Sequence, residues 1–178
     1  MKLLSTDFKD LIIIKQNICS DERGFFKENF KKEKLENFLN IKLNFCQQNS
    51  VKSYINVLRG LHFQKEPYAQ SKLISISSGK ILDIAVDIRK NSSTYGKYFS
   101  YVLSAQNHES LFIPKGFAHG YVTLSKTALI NYNVDNYYNS EMESGIPFDD
   151  AFLKIDWLID KKNLIISEKD KSQKPFKW

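Results

Sequence analysis

Residues 57–73, VLRGLHFQKEPYAQSKL, contain three side chains that are suited to removing a proton from carbon. A neutral imidazole, such as that of His62, can accept a proton. Arg59 and Lys72 supply positive charge, which would stabilise the anion that remains. A lone histidine among Val, Leu and Phe is more often a hydrogen-bonded core residue. The two nearby cations instead favour an enzyme that uses His62 as a base.

Strand alternation in this stretch raises a geometric problem. On a regular strand, Leu58, Gly60 and His62 point to one face and Arg59 points to the other. Arg59 and His62 therefore reach one pocket only if the strand is irregular. Gly60 lies between them, and we hypothesise a β-bulge or kink at this glycine that redirects the arginine.

Short strands dominate the rest of the sequence. Residues 80–88 alternate most clearly: the apolar face predicts core, and the face with Asp83 and Asp87 predicts a polar pocket or solvent exposure. Residues 20–24 predict the turn of a hairpin, and residues 31–39 predict the one clear helix near this end. Further strands are predicted at residues 98–103, 110–113, 117–124 and 127–134. Many short strands with few helices indicate an all-β sandwich or barrel, and the length predicts a single domain, 1–178.

Four separated motifs resemble the dTDP-4-dehydrorhamnose 3,5-epimerase family. They are RGLHFQ at residues 59–64, Gln70 with Lys72, IPKGFAHG at residues 113–120, and the segment from Tyr132 to Tyr138. Several motifs in one order are more specific than one short match. The resemblance spans roughly residues 21–170. It implies a cupin-type jelly-roll, a homodimer, and epimerisation without a cofactor at carbons 3 and 5 of a nucleotide-linked 4-keto-6-deoxy sugar.

The resemblance also implies a role for each site residue. His62 would be the base, Tyr132 the acid on the opposite face of the sugar, and Lys72 the group that stabilises the enolate. Asp170 would accept a hydrogen bond from His62 and so orient it. The implied substrate-binding residues are Arg23, Phe26, Glu28, Gln47, Asn49, Arg59, Lys72, His119, Tyr138, Glu143 and Lys169. The first three lie on the N-terminal hairpin, which the neighbouring subunit would donate.

Without the resemblance, these residues have plainer interpretations. Tyr132 shares a strand face with apolar residues, which is typical of a core aromatic. Arg23 would be a solvated charge on a surface hairpin, and Asp170 would belong to an exposed charged tail. Gln47 and Asn49 share one strand face, where their amides would contact either a sugar nucleotide or solvent.

Two residues depart from the family pattern, and two other functions stay open. Asn133 stands where the family usually has a basic residue, and Asn56 stands where it usually has a glycine. A single-carbon epimerase, or an epimerase of another nucleotide-linked keto sugar, would share most of these motifs.

More distant alternatives come from other cupins. The P-x-G-x-x-H phrase that ends at His119 resembles the second motif of metal-binding cupins, but the first motif's His-x-His is missing because only His62 is present there. We therefore expect no metal site. A sugar-binding cupin without catalytic activity would not need a base, a cation and an acid together.

Composition sets only outer bounds. The chain has 178 residues, 42% hydrophobic and 26% charged, and a formal net charge of +6. Its basic residues are scattered, which argues against nucleic-acid binding and fits an anionic small substrate equally well. Cys19 and Cys46 are expected to be reduced thiols. No apolar run reaches membrane-spanning length and no secretory leader is recognisable, so we expect a cytoplasmic protein that does not bind membranes.

Overall fold

A computed structural model describes residues 1–178. The secondary structure is almost entirely β, as the sequence predicts. The helices are α1 (Lys32–Leu39) and α2 (Glu168–Lys171), with a 3₁₀ turn at Lys161–Asn163. The strands are β1 (Lys2–Ser5), β2 (Ile12–Lys15), β3 (Ile18–Asp21), β4 (Gly24–Lys27), β5 (Gln47–Tyr54), β6 (Val57–Gln64), β7 (Lys72–Ser78), β8 (Lys80–Asp87), β9 (Tyr98–Ser104), β10 (Glu109–Ile113), β11 (Phe117–Thr123), β12 (Thr127–Val134), β13 (Glu143–Gly145) and β14 (Ile165–Ile166).

The strands form two large sheets and one hairpin. The first sheet has the order β1-β2-β10-β7-β12-β5, and the second has the order β13-β6-β11-β8-β9. All pairings are antiparallel except that of β14, which joins β6 in parallel. The separate hairpin of β3 and β4 matches the turn predicted at residues 20–24. This arrangement is the cupin-type jelly-roll, and the all-β prediction is confirmed.

Burial on both faces of the second sheet explains where the core lies. One cluster fills the space between the sheets and includes Ile81 and Ala85 of β8. A second cluster, with Ile84 and Val86, lies on the opposite face of β8 under the C-terminal part of the chain. Asp83 and Asp87 are consequently 0% exposed. The solvent alternative for the acidic face of β8 was wrong, because the fold encloses both faces of this strand.

Strand β6 is irregular at the place the sequence hypothesis required. The pairing with β11 matches His62 to His119 but Arg59 to Tyr121, so three steps on β6 face two on β11. Gly60 has φ +115°, and a Cβ there would lie 2.6 Å from the Cα of Gly120 on the facing strand. The predicted bulge is confirmed, and glycine is required because the two backbones approach this closely.

The bulge shifts strand alternation by one residue. Leu58 and Leu61 both pack into the outer core cluster, although they are three positions apart. Arg59 and His62 therefore both face the opposite sheet. The arginine Nε donates to Ser53 Oγ of β5 at 3.1 Å, which is a contact across the sandwich.

The C-terminal segment forms a capped helical turn that its composition did not predict. Ser167 is the N-cap of α2, and its Oγ accepts from the backbone N–H of Asp170 at 3.1 Å. This turn directs the Asp170 carboxylate towards β6, where the residue is only 4% exposed. No helix in the protein is long and apolar enough to cross a lipid bilayer.

Candidate active site

A cavity of about 330 Å³ opens between the two sheets, beside the bulge in β6. Both sheets contribute to its wall, so residues that are distant in sequence converge on one space. Seven of the predicted site residues line it, namely Gln47, Asn49, His62, Lys72, Tyr132, Tyr138 and Glu143. Its remaining wall consists of Phe63, Gln64 and Gln70.

His62 is held by a carboxylate from the C-terminal turn. Its Nε2 lies 2.7 Å from Asp170 Oδ1, and Asp170 Oδ2 accepts from the backbone N–H of Gly60 at 3.2 Å. Burial acts to raise the pKa of Asp170, but the hydrogen bonds from His62, Gly60 and Ser167 hold that pKa below its usual value. The aspartate is therefore ionised near neutral pH. With Nε2–H donating to it, the neutral ring keeps its acceptor lone pair on Nδ1.

The Lys72 ammonium is more acidic than that of an ordinary lysine. Burial lowers the pKa of its ammonium to about 8, although Asp83 and Glu143 act in the opposite direction. The ammonium forms no salt bridge in the chain. It is thus mostly protonated at neutral pH and free to contact an oxygen anion.

Tyr132 lies on β12 of the first sheet, whereas His62 lies on β6 of the second. Burial raises the pKa of the Tyr132 phenol, and Arg59 and the Asn49 side chain oppose that rise only in part. The phenol therefore keeps its proton at neutral pH. A proton donor and a proton acceptor thus approach the cavity from different sheets.

Three polar residues form a cluster at the rim. Tyr138 donates its hydroxyl hydrogen to Glu143 Oε2 at 2.6 Å, and the Lys169 ammonium donates to the same oxygen. Burial acts to raise the pKa of Glu143, but the bonds from Lys169 and Tyr138 hold that pKa below its usual value. Lys169 therefore lies beside the cavity through its contact with Glu143.

Gln64 and Gln70 were not among the predicted substrate contacts, although each has a signal in the sequence. Gln64 shares the strand face of His62, and Gln70 lies two residues before Lys72. The Gln64 amide donates to Tyr137 O at 3.1 Å and accepts from Asn139 N at 2.6 Å. It thereby fixes the loop that carries Tyr138.

Arg59 and His119 lie near the cavity but do not form its wall. Arg59 is tied to Ser53, whose Oγ is 3.0 Å from the Tyr121 hydroxyl. His119 is buried, and its Nε2 contacts Asp83 at 3.0 and 3.1 Å. Asp83 thus holds Nε2 of the imidazole, and the predicted contact of His119 with substrate stays a prediction.

Arg23, Phe26 and Glu28 lie apart from the cavity of their own chain. Arg23 pairs with Asp21 within the β3–β4 hairpin, and Phe26 is 72% exposed. Within one chain the structure does not bring these three predicted residues to the others.

The histidine and acidic side chains are not grouped as the ligands of a metal ion would be. No group of three or more His, Cys, Asp or Glu side chains converges on one point. His62 and His119 each contact a different aspartate. The residues present thus do not fit the three-histidine site of metal-dependent cupins.

Comparison with known proteins identifies the family. The family model described as dTDP-4-dehydrorhamnose 3,5-epimerase matches residues 5–177. The chain belongs to this family. An Escherichia coli (strain K12) protein named dTDP-4-dehydrorhamnose 3,5-epimerase is 44% identical over 170 residues, which are 96% of this chain and 91% of that protein.

Solved structures of epimerases superpose closely. A dTDP-4-dehydrorhamnose 3,5-epimerase from Elizabethkingia anophelis NUHP1 has a TM-score of 0.95 at 45% identity, covering 99% of this chain and 96% of that one. A Legionella pneumophila Philadelphia 1 epimerase, solved in complex with dTDP-4-keto-L-rhamnose, has a TM-score of 0.93 at 40% identity and covers 98% and 92%. The predicted membership of the epimerase family is confirmed.

The two departures from the family pattern lie away from the reacting groups. Asn133 follows Tyr132 on β12 and pairs with Gln48, so its side chain points to the opposite face of the sheet. Asn56, in the turn between β5 and β6, has φ +64°. Asparagine tolerates this left-handed conformation better than other non-glycine residues, so it can replace the family's glycine there.

Proposed function

We propose that this protein inverts carbons 3 and 5 of a dTDP-linked 4-keto-6-deoxy sugar, converting dTDP-4-dehydro-6-deoxy-D-glucose to dTDP-4-dehydro-L-rhamnose. Family membership supports the reaction class. The sugar nucleotide bound by the Legionella pneumophila relative supports the substrate.

The observation that carries the proposal is the placement of acid and base on different sheets. Inversion at carbon requires proton removal on one face of the sugar and proton delivery on the other. His62 enters the cavity from β6 and Tyr132 from β12, and Lys72 lies on β7 beside β12. A binding protein without catalytic activity has no need of this set.

Each inversion proceeds through an enolate. His62 Nδ1 takes the proton from carbon 5, the C–H electron pair forms the C=C bond, and the 4-keto oxygen becomes an anion. Lys72 stabilises that anion, and the Tyr132 hydroxyl then gives its proton to carbon 5 from the opposite face. Solvent removes the proton from His62 and restores that of Tyr132, and the same sequence follows at carbon 3.

The magnitudes are sufficient for catalysis without a cofactor. Positioned acid–base groups contribute about 10²–10⁴-fold, and an oxyanion contact adds about 10²–10³-fold. Asp170 stabilises the imidazolium that forms after proton removal, in the way that an aspartate orients other catalytic histidines.

The diphosphate is proposed to bind at the rim, where Lys169 and Arg59 supply positive charge. Gln47 and Asn49, 2.9 Å apart, provide amides for sugar or base oxygens. Tyr138 and Glu143 at the rim and His119 beside the cavity are proposed as further contacts from the same chain. The predicted contacts Arg23, Phe26 and Glu28 are proposed to come from the hairpin of a second subunit in a homodimer. Their distance from the cavity of their own chain and the exposure of Phe26 support this exchange.

Residues 1–178 are proposed to act as one domain, because the C-terminal turn supplies Asp170 to a strand near the middle of the chain. The proposed location is the cytoplasm, which is supported by the free thiols of Cys19 and Cys46.

The test is proton exchange in D₂O with dTDP-4-dehydro-6-deoxy-D-glucose, followed by NMR. Deuterium at carbons 3 and 5, with accumulation of the inverted product and full activity after exhaustive chelation, is the expected result. Deuterium at only one carbon would establish a single-carbon epimerase. Activity that disappears on chelation and returns with Mn²⁺, Fe²⁺ or Zn²⁺ would establish a metal-dependent cupin instead.

A further inference from the structure

The segment that carries Asp170 follows β6 and contacts it repeatedly. At its start, Ile165 and Ile166 of β14 pair with Val57 and Leu58. Asp170 then reaches Gly60 and His62 further along the same strand. The C-terminal segment thus follows β6 from its first residues to the catalytic base.

Beyond Asp170, three side chains turn inward from an otherwise exposed tail. Lys171, Ser172, Lys174, Pro175 and Lys177 are exposed, whereas Gln173, Phe176 and Trp178 are half-buried. Gln173 packs on Gly145, where a Cβ would come within 2.4 Å of its side chain, and Gly145 pairs with His62. The spacing of the inward residues places each of them against the body of the protein.

The last two inward residues join an aromatic cluster. The Phe176 ring meets the Phe63 ring edge-on at 6.1 Å, and Phe63 lines the cavity directly after His62. Trp178 stacks on Phe152 at 4.9 Å and contacts Phe176 at 4.7 Å. Aromatic rings at these separations attract one another beyond their burial alone.

A carboxylate fixes the tryptophan. Its Nε1–H donates to Asp150 Oδ1 at 3.3 Å. The same oxygen accepts from the backbone N–H groups of Phe152 and Leu153 at 3.0 Å each. Trp178 is therefore anchored to a loop whose own conformation is fixed, and this anchor lies at the opposite end of the segment from β14.

We propose that Phe176 and Trp178 are positioning residues that hold the Asp170 carboxylate against His62 and Gly60. Asp170 lies on a four-residue helix between β14 and the aromatic cluster. Without the aromatic cluster, only Lys169 on Glu143 and Gln173 on Gly145 would hold the segment at and beyond the turn, and the carboxylate would be less tightly positioned against the imidazole. Neither aromatic residue touches the cavity, so they act on proton removal and not on substrate binding. The kinetic part of this inference rests on the proposed epimerase function.

The test compares Trp178→Ala with Trp178→Phe, which keeps the ring stacking, and with Lys177→Ala, a change at the exposed neighbour. The first readout needs no substrate: the hydrogen-exchange rate of the Gly60 amide, which donates to Asp170. Trp178→Ala should accelerate this exchange, while the Ile74 amide in the first sheet exchanges as before. Trp178→Phe should restore most of the protection, and Lys177→Ala should leave it unchanged.

The second readout is the kinetics of inversion. Because a displacement of about 1 Å at a catalytic group can cost about 10²-fold, Trp178→Ala should lower kcat by about tenfold or more and leave KM unchanged. The loss should disappear in an Asp170→Asn background, since the carboxylate being positioned is then gone. If Trp178→Ala does not fold, Phe176→Leu is the substitute variant. It is a smaller change and should act in the same direction.

Three results would overturn the proposal. They are an unchanged Gly60 exchange rate in a folded Trp178→Ala protein, an equal loss of kcat with and without Asp170, and a rise in KM alone. If wild-type protein does not turn over the dTDP sugar, the proposed function fails, and the Gly60 amide still decides whether Trp178 positions Asp170.

Discussion

The cavity and the β3–β4 hairpin both carry predicted site residues, but they differ in where the polar partners of their side chains come from. In the cavity, His62 and Glu143 have partners from elsewhere in the fold, as in the 2.7 Å contact of His62 with Asp170. In the hairpin, Arg23 pairs only with Asp21 of the same turn, and Phe25 and Phe26 are 58% and 72% exposed.

This difference separates two parts of the function. The groups proposed for proton transfer lie within one chain, so their geometry depends on the chain's own fold. The hairpin residues are solvent-exposed in one chain, and the contribution proposed for them would come from a second copy. We therefore expect cavity substitutions to alter chemistry and hairpin substitutions to alter binding.

The largest expected effect is that of His62→Ala. Without the base, deuterium incorporation at both carbons should fall by about 10²–10⁴-fold, whereas binding of dTDP should change little. NMR of the sugar in D₂O and calorimetry with dTDP measure the two effects. Asp170→Asn should slow exchange less, because the carboxylate orients the base and does not take the proton. Rapid exchange in His62→Ala would remove this histidine from the mechanism.

A smaller effect is expected for Arg23→Ala. Loss of a charge-assisted hydrogen bond costs about 1.5–3 kcal/mol, so KM should rise by about tenfold or more at nearly constant kcat. Glu22→Ala, at the exposed neighbouring position, is the matched control and should have no effect.

Hybrid dimers then test where the hairpin acts. In a purified heterodimer of Arg23→Ala and His62→Ala chains, one pocket combines a normal His62 with a normal hairpin from its partner. That pocket should work with wild-type KM. A hybrid whose active pocket keeps the raised KM of Arg23→Ala would show that the hairpin serves its own chain.

The smallest effect should appear in the pH profile, and it belongs to the cavity. The Lys72 pKa of about 8 means that its ammonium is present below this pH and lost above it. The value of kcat/KM should therefore decrease as pH rises through about 8, and by about tenfold per unit beyond it. Lys72→Arg should move this alkaline limb, the decrease of kcat/KM above about pH 8, to higher pH at lower overall activity. Arg23→Ala should leave the limb in place. A limb that persists unchanged in Lys72→Arg would assign it to another group.

Much of the fold follows from local sequence pattern. Period-two alternation located β8 and β12, and Gly60 marked the bulge between two residues that needed the same face. Burial of Asp83 and Asp87 could not be predicted, because they share the β8 face of Ile81 and Ala85, which is covered only when the first sheet packs against the second. The folding of α2 escaped prediction for a related reason: its sequence, EKDK, is locally typical of a solvated tail.

Sequence pattern predicted less of the site than of the fold. Strand parity alone pairs Gln47 with Asn49, and would also have pointed to Gln64 beside His62. The contact of Asp170 with His62 spans 108 residues, and only the family resemblance suggested it. For His119, the motif gave no sign that Asp83 would occupy its ring nitrogen, since that pairing arises only when β8 and β11 lie side by side.

The central claim, that His62 and Tyr132 act on opposite faces of the sugar, is tested most directly by Tyr132→Phe. This change keeps the ring and removes only the hydroxyl, so folding and dTDP affinity should be nearly unchanged. Deuterium exchange and product inversion are measured together on the same sample. The account predicts that exchange continues while inversion slows sharply, because His62 exchanges its proton with D₂O and returns a deuteron to the original face. Equal losses of exchange and inversion in a folded variant would contradict it.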